Sequence, residues 1–324
     1  MPHVLVTGLL HPSGCALLDA ADEMTVTYIP DVSEESLAAE IGNAEAVLLR
    51  TQPMTESTVN KASRLRIVSR HGVGYDAVDV DALNARGIAL AVCGDVNSTA
   101  VAEHAAMMIL AATKRALRGD NATRTGSWDW RNNLESRDLR GQNLLVAGYG
   151  RIGRHIAAMM AGFGMAVRAY DPYLMKAGWP EGDVAGFETL EEGLGWADVI
   201  SFSLPHKGKP LIGDDEIALM KDGAVLVNTA RGGIIDEAAL INALKNGKIG
   251  AAGLDVFKSE PLPEGHPFGA FDQVLLSPHI AGLTRESAER MAVSSAENIL
   301  NFFAGTLDHA LIVNREEIDV PLQT

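Results

Sequence analysis

The hydrophobic positions along the chain fall into short runs that alternate with longer amphipathic stretches. In the first part, runs rich in β-branched residues predict strands at 3–7, 24–29, 45–49, 65–69 and 88–92. Helical patterns lie between these runs, for example at 33–42 and 79–86. Strands that alternate with helices form parallel sheets with helices on both faces. The first part of the chain is therefore predicted to be an α/β domain.

The second part repeats this plan. Its apolar runs predict strands at 143–147, 165–170, 197–204, 224–230, 249–256 and 273–277. A pattern at 98–117 is apolar nearly all round, so we expect this helix to be buried between domains or subunits. A loop that contains Gly and Trp is predicted at 119–141, and a final helix at 284–305. A chain of 324 residues is too long for one ordinary core, so two domains are expected. The predicted fold class is therefore α/β, with two Rossmann- or flavodoxin-like parallel-sheet domains.

The composition limits the class of protein and its partners. Hydrophobic residues make up 47% of the chain and charged residues 21%, which fits a well-packed globular protein. The net charge of −15 would repel nucleic acid and anionic membrane surfaces, so we expect neither as a partner. An anionic substrate would need a locally positive site.

The sequence also indicates a compartment. Two cysteines are too few for a disulfide framework and suggest a reducing environment. The N-terminal residues lack the basic and apolar regions of a signal peptide. No run reaches the roughly 18 apolar residues that a spanning helix needs. We therefore expect a cytoplasmic protein.

A glycine-rich motif, GYGRIG at 148–153, follows one predicted strand and opens a helix. Gly148 allows a tight turn, Gly150 lets a pyrophosphate approach the backbone, and Gly153 lets the helix pack on the strand. Asp171 follows 18 residues after the last glycine, at the end of the next predicted strand. Its carboxylate would accept a hydrogen bond from a ribose 2′-hydroxyl and repel a 2′-phosphate, which favours NAD over NADP.

A second candidate for the same motif is GVGYDA at 72–77, which also follows a predicted strand. Several aspartates come soon after it and would repel a pyrophosphate, whereas Arg151 and Arg154 belong to the start of the other helix. We therefore place the dinucleotide at 148–153. The segment 72–77 is interpreted as a backbone turn whose free amides could face an anionic substrate.

Residues that can move protons or bind charge follow the predicted strands of the second part. Arg231, Asp255 and His279 each come at or just after a strand end, where ligands of open parallel sheets bind, and Glu260 lies on the loop before His279. Imidazole exchanges protons near neutral pH, and a neighbouring carboxylate favours its charged form. Arginine offers a fork that matches a carboxylate. The set is chemically sufficient for an NAD-dependent oxidoreductase of 2-hydroxy acids.

The chain closely resembles the D-isomer-specific 2-hydroxyacid dehydrogenases, the family that includes D-3-phosphoglycerate dehydrogenase. The resemblance rests on several motifs in the right order, at 70–79, 97–105, 148–153, 228–240, 251–263 and 277–282. It implies interconversion of a D-2-hydroxy acid and its 2-oxo acid with NAD, with a small anionic substrate. It also implies a discontinuous substrate-binding domain, 1–96 with 285–324, into which the NAD-binding domain 97–284 is inserted. Family members are usually homodimers, with the helix near 98–117 at the interface.

The resemblance also implies roles for individual residues. His279 would be the acid–base group, with Glu260 as its partner and Arg231 binding substrate. Cofactor contacts are implied for Gly148, Gly150, Arg151, Ile152, Gly153, Asp171, Pro205, Thr229, Ala230, Asp255 and Gly282. Substrate contacts are implied for the backbone of Gly72, Val73 and Gly74 and for Arg50, although Arg50 is equally interpreted as part of a surface salt bridge.

Two departures from the family pattern bear on the substrate. Phosphoglycerate enzymes often show a second arginine where this chain has Leu48, which weakens the case for a phosphorylated substrate. The family often has threonine where this chain has Lys207. His71 and His206 could also touch a ligand, although each is more often an ordinary loop residue.

Some other polar residues are interpreted as structural, and two other functions are considered. Glu103 and His104 match a family pair, but on a buried helix we interpret them as structural. The acidic cluster at 214–216 is interpreted as a helix start, so no metal site is expected. The alternative function is a non-enzymatic NAD(H)-sensing protein that acts like a corepressor. A formate-dehydrogenase-like enzyme is disfavoured, because such enzymes resemble this pattern with Gln at the position of Glu260.

Overall fold

A computed structural model describes residues 1–182, 184–205 and 208–318. The chain divides into two compact units. Unit 1 contains Met1–Asn97 together with the residues from Leu283 onward, and unit 2 contains Ser98–Gly282. Unit 1 is therefore discontinuous in sequence, with unit 2 inserted between its two segments.

The elements alternate along the chain as the hydrophobic pattern predicts. The strands of the described residues are β1 (His3–Thr7), β2 (Thr25–Ile29), β3 (Ala46–Leu49), β4 (Ile67–Arg70), β5 (Ala89–Val92), β6 (Asn143–Ala147), β7 (Ala166–Tyr170), β8 (Ala185–Gly186), β9 (Val199–Phe202), β10 (Ala224–Asn228), β11 (Ile249–Leu254) and β12 (Val274–Leu276). The α-helices are α1 (Pro12–Asp19), α2 (Glu34–Glu40), α3 (Glu56–Lys61), α4 (Val80–Asn84), α5 (Ser98–Thr113), α6 (Ala116–Arg124), α7 (Arg151–Gly162), α8 (Pro172–Ala177), α9 (Leu190–Trp196), α10 (Asp214–Leu219), α11 (Glu237–Asn246) and α12 (Arg285–Ala304).

Unit 1 is built on a five-stranded parallel sheet in the order β2-β1-β3-β4-β5, the flavodoxin-like order. The C-terminal helix α12 packs on this sheet and against α1. The Ser69 hydroxyl donates to the Ser295 carbonyl at 2.8 Å, and a Cβ on Gly14 would lie 2.7 Å from the Ala292 carbonyl oxygen. The last helix thus returns to the N-terminal part of the chain, as expected.

Unit 2 is built on a seven-stranded parallel sheet in the order β12-β11-β10-β9-β6-β7-β8. The order reverses between β6 and β9, which pair directly with Leu144 opposite Val199. This is the Rossmann arrangement extended by one strand, and its ligands bind where the order reverses, beyond the carboxyl ends of the strands. The predicted fold class, two parallel-sheet domains with one inserted in the other, is confirmed.

The segment between the two predicted sheets differs from the sequence-based expectation. The helix expected at 98–117 ends at Thr113, because Arg115 adopts a left-handed conformation with φ 55°. A further helix, α6, then occupies the start of the segment predicted as a loop. The apolar residues of α5 pack on the sheet of unit 2, where a Cβ on Gly253 would lie 2.8 Å from Cβ of Met108. The two-residue strand β8 is too short to leave a pattern in the sequence.

Among the described residues, none of the helices has both the length and the apolar character that crossing a membrane requires.

Candidate active site

The glycine-rich turn between β6 and α7 shows why three glycines are needed there. Gly148 has φ 97°, and a Cβ on it would lie 2.6 Å from the Leu204 nitrogen. A Cβ on Gly153 would lie 2.0 Å from the carbonyl oxygen of Gly148. A Cβ on Gly150 would meet no described atom within 4 Å, so the space beside it is open. The helix begins at Arg151, and its N-cap residue Gly150 makes no side-chain hydrogen bond to it. The amides of the first turn, including that of Ile152, are therefore suited to bind a phosphate.

Asp171 links the end of β7 to the glycine-rich turn. One carboxylate oxygen accepts hydrogen bonds from the amides of Tyr173 (3.0 Å) and Leu174 (3.1 Å), so Asp171 caps α8. The other oxygen accepts from the amide of Tyr149 at 2.9 Å. The carboxylate is therefore fixed beside the turn that would hold the pyrophosphate, which fits a ribose of a dinucleotide.

The rival motif at 72–77 lacks this geometry. The next helix begins only at Val80, so no helix N-terminus stands behind the turn. Gly72 is buried, its amide donates to Sγ of Cys93 at 3.4 Å, and its carbonyl accepts from the Cys93 amide at 3.0 Å. Both backbone groups of Gly72 are thus used inside unit 1, which leaves Val73 and Gly74 as the half-buried backbone of this turn. The expected substrate contact by the backbone of Gly72 stays a prediction.

The remaining residues expected to bind substrate lie at the carboxyl edge of the unit 1 sheet. Arg50 follows β3 and donates from Nη1 to the Leu9 carbonyl, and the buried His71 follows β4. Burial, with the charges of Arg50 and Arg70, lowers the pKa of His71 to about 4, so the ring is neutral at neutral pH. Leu48 is fully buried in β3. Its side chain lies in the core of unit 1, and the interpretation of Leu48 as evidence against a phosphorylated substrate stays a prediction.

The loop after β10 carries Arg231 close to the loop after β11. The side chain of Asn228 donates to the Arg231 carbonyl at 2.8 Å and accepts from the Ala230 amide at 3.0 Å. A Cβ on Gly232 would lie 1.9 Å from the carbonyl carbon of Phe257. Only glycine permits this approach, which brings Arg231 beside the segment that leads to Glu260.

Glu260 and His279 form the central pair of the site. Nδ1 of His279 lies 2.6 Å from Oε2 of Glu260, and the other oxygen of Glu260 accepts from the Phe257 amide at 2.9 Å. The hydrogen bond to Glu260 raises the pKa of His279 although burial opposes it. Burial alone would raise the pKa of Glu260, but the His279 and Phe257 hydrogen bonds and the Arg231 charge outweigh it and lower the pKa. Because Nδ1 is engaged, Nε2 is the atom that can exchange a proton with a substrate.

The backbone of His279 is held in an unusual conformation. Its φ is 53°, in the left-handed region that costs a non-glycine residue about 1–2 kcal/mol. The fully buried carboxylate of Asp255 accepts from the amides of Ile280 (2.9 Å) and Ala281 (2.8 Å), and the Asp255 carbonyl accepts from the His279 amide (2.8 Å). Asp255, expected at the nicotinamide, thus holds the loop that carries His279 and has no exposed oxygen.

Further residues expected at the cofactor follow neighbouring strands at the same edge of the unit 2 sheet. Pro205 follows β9, Thr229 and Ala230 follow β10, and Gly282 follows β12. The Thr229 hydroxyl is buried and has no hydrogen-bond partner among the described residues. An orphaned buried hydroxyl at a ligand-binding edge fits a contact to a bound cofactor. His206 and Lys207 lie outside the described residues.

Ser277 is the residue of this site that the sequence-based reasoning missed. Its hydroxyl lies 2.5 Å from Oδ1 of Asp255 and 3.0 Å from Nε2 of His104, the histidine interpreted as structural. The only sequence signal was its place directly after β12. Its partners are 22 and 173 residues away, so no local pattern reveals them.

The doubly wound sheet, the glycine-rich turn with Asp171, and the Glu260–His279 pair define a dinucleotide-dependent oxidoreductase. Residues 106–281 match the family described as D-isomer specific 2-hydroxyacid dehydrogenase, NAD binding domain. The chain belongs to this family and is an NAD-dependent enzyme that interconverts 2-hydroxy and 2-oxo acids. This favours the enzyme over the corepressor-like interpretation.

Individual relatives agree with this assignment. Glyoxylate reductase of Aeropyrum pernix is 38% identical over 331 residues, which cover 98% of each chain. D-3-phosphoglycerate dehydrogenase of Methanocaldococcus jannaschii is 36% identical over 310 residues, 95% of this chain but only 58% of that relative. The crystal structure of the TT0316 protein from Thermus thermophilus is similar with a TM-score of 0.86 and 32% identity, covering 96% of this chain and 99% of that one.

Proposed function

We propose that the protein reduces a small 2-oxo acid to its D-2-hydroxy acid, with His279 as the proton donor. The observation that carries this proposal is the 2.6 Å contact between Nδ1 of His279 and Glu260. It stabilises the imidazolium and leaves Nε2 to protonate the 2-oxo oxygen. In the reverse direction the neutral ring accepts the hydroxyl proton. When bound, NADH supplies the hydride that reaches the carbonyl carbon, so carbon is reduced as the oxygen is protonated.

We further propose that Arg231 orients the substrate through its carboxylate. A guanidinium binds a carboxylate through two parallel hydrogen bonds, which fixes the reacting carbon as well as neutralising the charge. In unit 1, the amides of Val73 and Gly74 and the cation of Arg50 are proposed to contact the anionic substrate. Support comes from the positive charges of Arg50 and Arg70 around the neutral His71, in a chain whose net charge is −15.

The cofactor is proposed to be bound by unit 2 through the amides of Arg151 and Ile152, with Gly150 leaving room for the pyrophosphate. Asp171 is proposed to accept from the adenosine ribose and to exclude a 2′-phosphate. Thr229, Ala230, Pro205 and Gly282 are proposed to contact the nicotinamide side. Asp255 is proposed to act there through the backbone that it holds.

For the substrate we propose glyoxylate or a 2-oxo acid of similar size. Support comes from the glyoxylate reductase that this chain matches over nearly the full length of both proteins. NADH oxidation with glyoxylate, hydroxypyruvate, phosphohydroxypyruvate and pyruvate tests this proposal. We expect the highest kcat/KM with glyoxylate or hydroxypyruvate. A clear preference for phosphohydroxypyruvate would overturn the substrate, and no turnover with any 2-oxo acid would overturn the reaction.

We also propose that the protein is a cytoplasmic homodimer with no nucleic acid or membrane partner. Support for the dimer comes from apolar side chains of the α5–α6 region that unit 2 leaves exposed, namely Met107, Leu117, Trp128 and Leu134. Large exposed apolar patches on globular proteins mark interaction sites, and a subunit contact in this region would cover these side chains. The strongly negative net charge supports the absence of nucleic acid.

A further inference from the structure

The loop 277–282, which carries His279, is connected to helix α5 through two side chains. The hydroxyl of Ser277 lies 2.5 Å from Oδ1 of Asp255, and Nε2 of His104 lies 3.0 Å from that hydroxyl. His104 itself is 3.8 Å from the same carboxylate oxygen. The three side chains form a row from the helix to the carboxylate around which the loop is folded.

The directions of the hydrogen bonds follow from the acceptor at the end of this row. A buried carboxylate needs donors, so the Ser277 hydroxyl donates to Asp255. The lone pairs of the hydroxyl then accept from Nε2–H of His104. His104 is thereby assigned as the donor at Nε2, a role that both its neutral Nε2–H form and its cation can fill.

The burial of the row makes each link necessary. The side chain of Asp255 is fully buried and that of His104 is 16% exposed. Without the donor on His104, the Ser277 hydroxyl is free to turn away from Asp255. A buried carboxylate oxygen that loses a hydrogen-bond donor is destabilised, because its desolvation is no longer compensated. The loop amides that donate to the same carboxylate then rearrange.

We propose that His104 and Ser277 are positioning residues that orient Asp255 and thereby hold His279 against Glu260. The inference rests on the proposed function, in which His279 is the acid–base group. Among the described residues, the charged groups that act on the pKa of His279 are Glu260, Asp255 and Arg231. The substitutions below leave all three unchanged. Ser277→Ala removes no ionisable group, so an effect that it shares with His104→Leu comes from the position of His279 and not from the charge of His104.

The test is an NMR titration of the His279 ring in His104→Leu, His104→Gln and Ser277→Ala, alongside steady-state reduction of a 2-oxo acid. Leucine removes the donor, and glutamine places an amide N–H near the original Nε2. In His104→Leu and Ser277→Ala we expect the pKa of His279 to fall toward its value in Glu260→Gln, and kcat to fall about tenfold. His104→Gln should restore both. The double variant should be no worse than the more affected single variant.

Glu103→Gln is the matched control, since Glu103 is the exposed neighbour of His104 on α5. It should leave the titration and kcat unchanged. An unchanged His279 titration in both His104→Leu and Ser277→Ala would overturn the inference, even with a lowered melting temperature. Should His104→Leu not fold, Ser277→Ala, which removes a single atom, decides alone. The titration does not require turnover, so it separates this inference from the proposed function, which His279→Ala tests.

Discussion

One carboxylate oxygen of Glu260 lies 2.6 Å from Nδ1 of His279, while the other is held at 2.9 Å by the amide of Phe257. The carboxylate therefore cannot rotate away from the ring without losing a backbone hydrogen bond. This arrangement fixes both the tautomer and the orientation of the imidazole. It also makes the proton affinity of His279 a property of the pair, which can be measured.

The pH dependence of the reaction should follow the raised pKa of His279. Reduction of a 2-oxo acid needs the imidazolium, so kcat/KM should be constant at low pH and fall as pH rises through this pKa. Glu260→Gln keeps a hydrogen-bond acceptor beside Nδ1 but removes the negative charge that helps to raise the pKa of His279, so the fall should begin at a lower pH. Glu264→Gln, a charge change at an exposed site of the same loop, should leave the profile unchanged. Coincident profiles for Glu260→Gln and the wild type would contradict the role of this pair.

Replacing the proposed proton donor should separate chemistry from cofactor binding. His279→Ala should lower kcat/KM by about 100- to 10,000-fold, because general acid catalysis contributes this much. The affinity for NADH, measured by fluorescence titration, should change by less than about twofold, because the glycine-rich turn is intact. His155→Ala, an exposed histidine of α7, serves as the control. Turnover close to that of the wild type in His279→Ala would contradict the assignment of His279 as the proton donor.

Much of the fold could be predicted from the sequence, because apolar β-branched runs between turn residues define strands without reference to the rest of the chain. The residue at which α5 ends could not be predicted in this way. Arg115 leaves the helix with φ 55° and donates from Nη1 to the Gly250 carbonyl at 2.6 Å. That contact joins residues 135 apart, so no helical pattern contains it.

The site shows the same division. The proximity of Glu260 and His279 could be predicted from the sequence, because residues that follow neighbouring parallel strands meet at one edge of the sheet. The sequence could not show that Asp255 faces inward, since this depends on how the loop amides of Ile280 and Ala281 fold around it. The sequence also could not show that Sγ of Cys93 accepts a hydrogen bond from the amide of Gly72.

Two glycines of the same turn should respond differently to a single methyl group. Gly150→Ala adds a Cβ in open space, so the free protein should keep its melting temperature, while NADH binding weakens at least about tenfold because the pyrophosphate loses its approach. Gly153→Ala places a Cβ 2.0 Å from the Gly148 carbonyl oxygen and should destabilise the fold by about 3 kcal/mol or prevent folding. Thermal denaturation and NADH titration distinguish the two. Equal loss of stability in both variants would contradict the cofactor role of Gly150.

Cofactor preference should depend on the charge of Asp171. Asp171→Asn keeps an acceptor for the α8 amides but removes the charge that repels a 2′-phosphate. The ratio of kcat/KM with NADH to that with NADPH should therefore fall by about tenfold or more. Glu188→Gln, an exposed carboxylate after β8, controls for the change in net charge. An unchanged ratio would show that Asp171 does not select the cofactor.

The proposed dimer makes a prediction about one aromatic residue. Trp128 is 65% exposed within unit 2, and Leu134 in the same segment is 85% exposed. Large aromatic side chains contribute most to subunit contacts when they are buried there, so Trp128→Ala should raise the dimer dissociation constant at least about tenfold. Light scattering over a concentration series measures this, with Leu219→Ala, an exposed apolar residue of α10, as the control. A monomeric wild type would overturn the dimer, and an unchanged dissociation constant in Trp128→Ala would place its contact elsewhere.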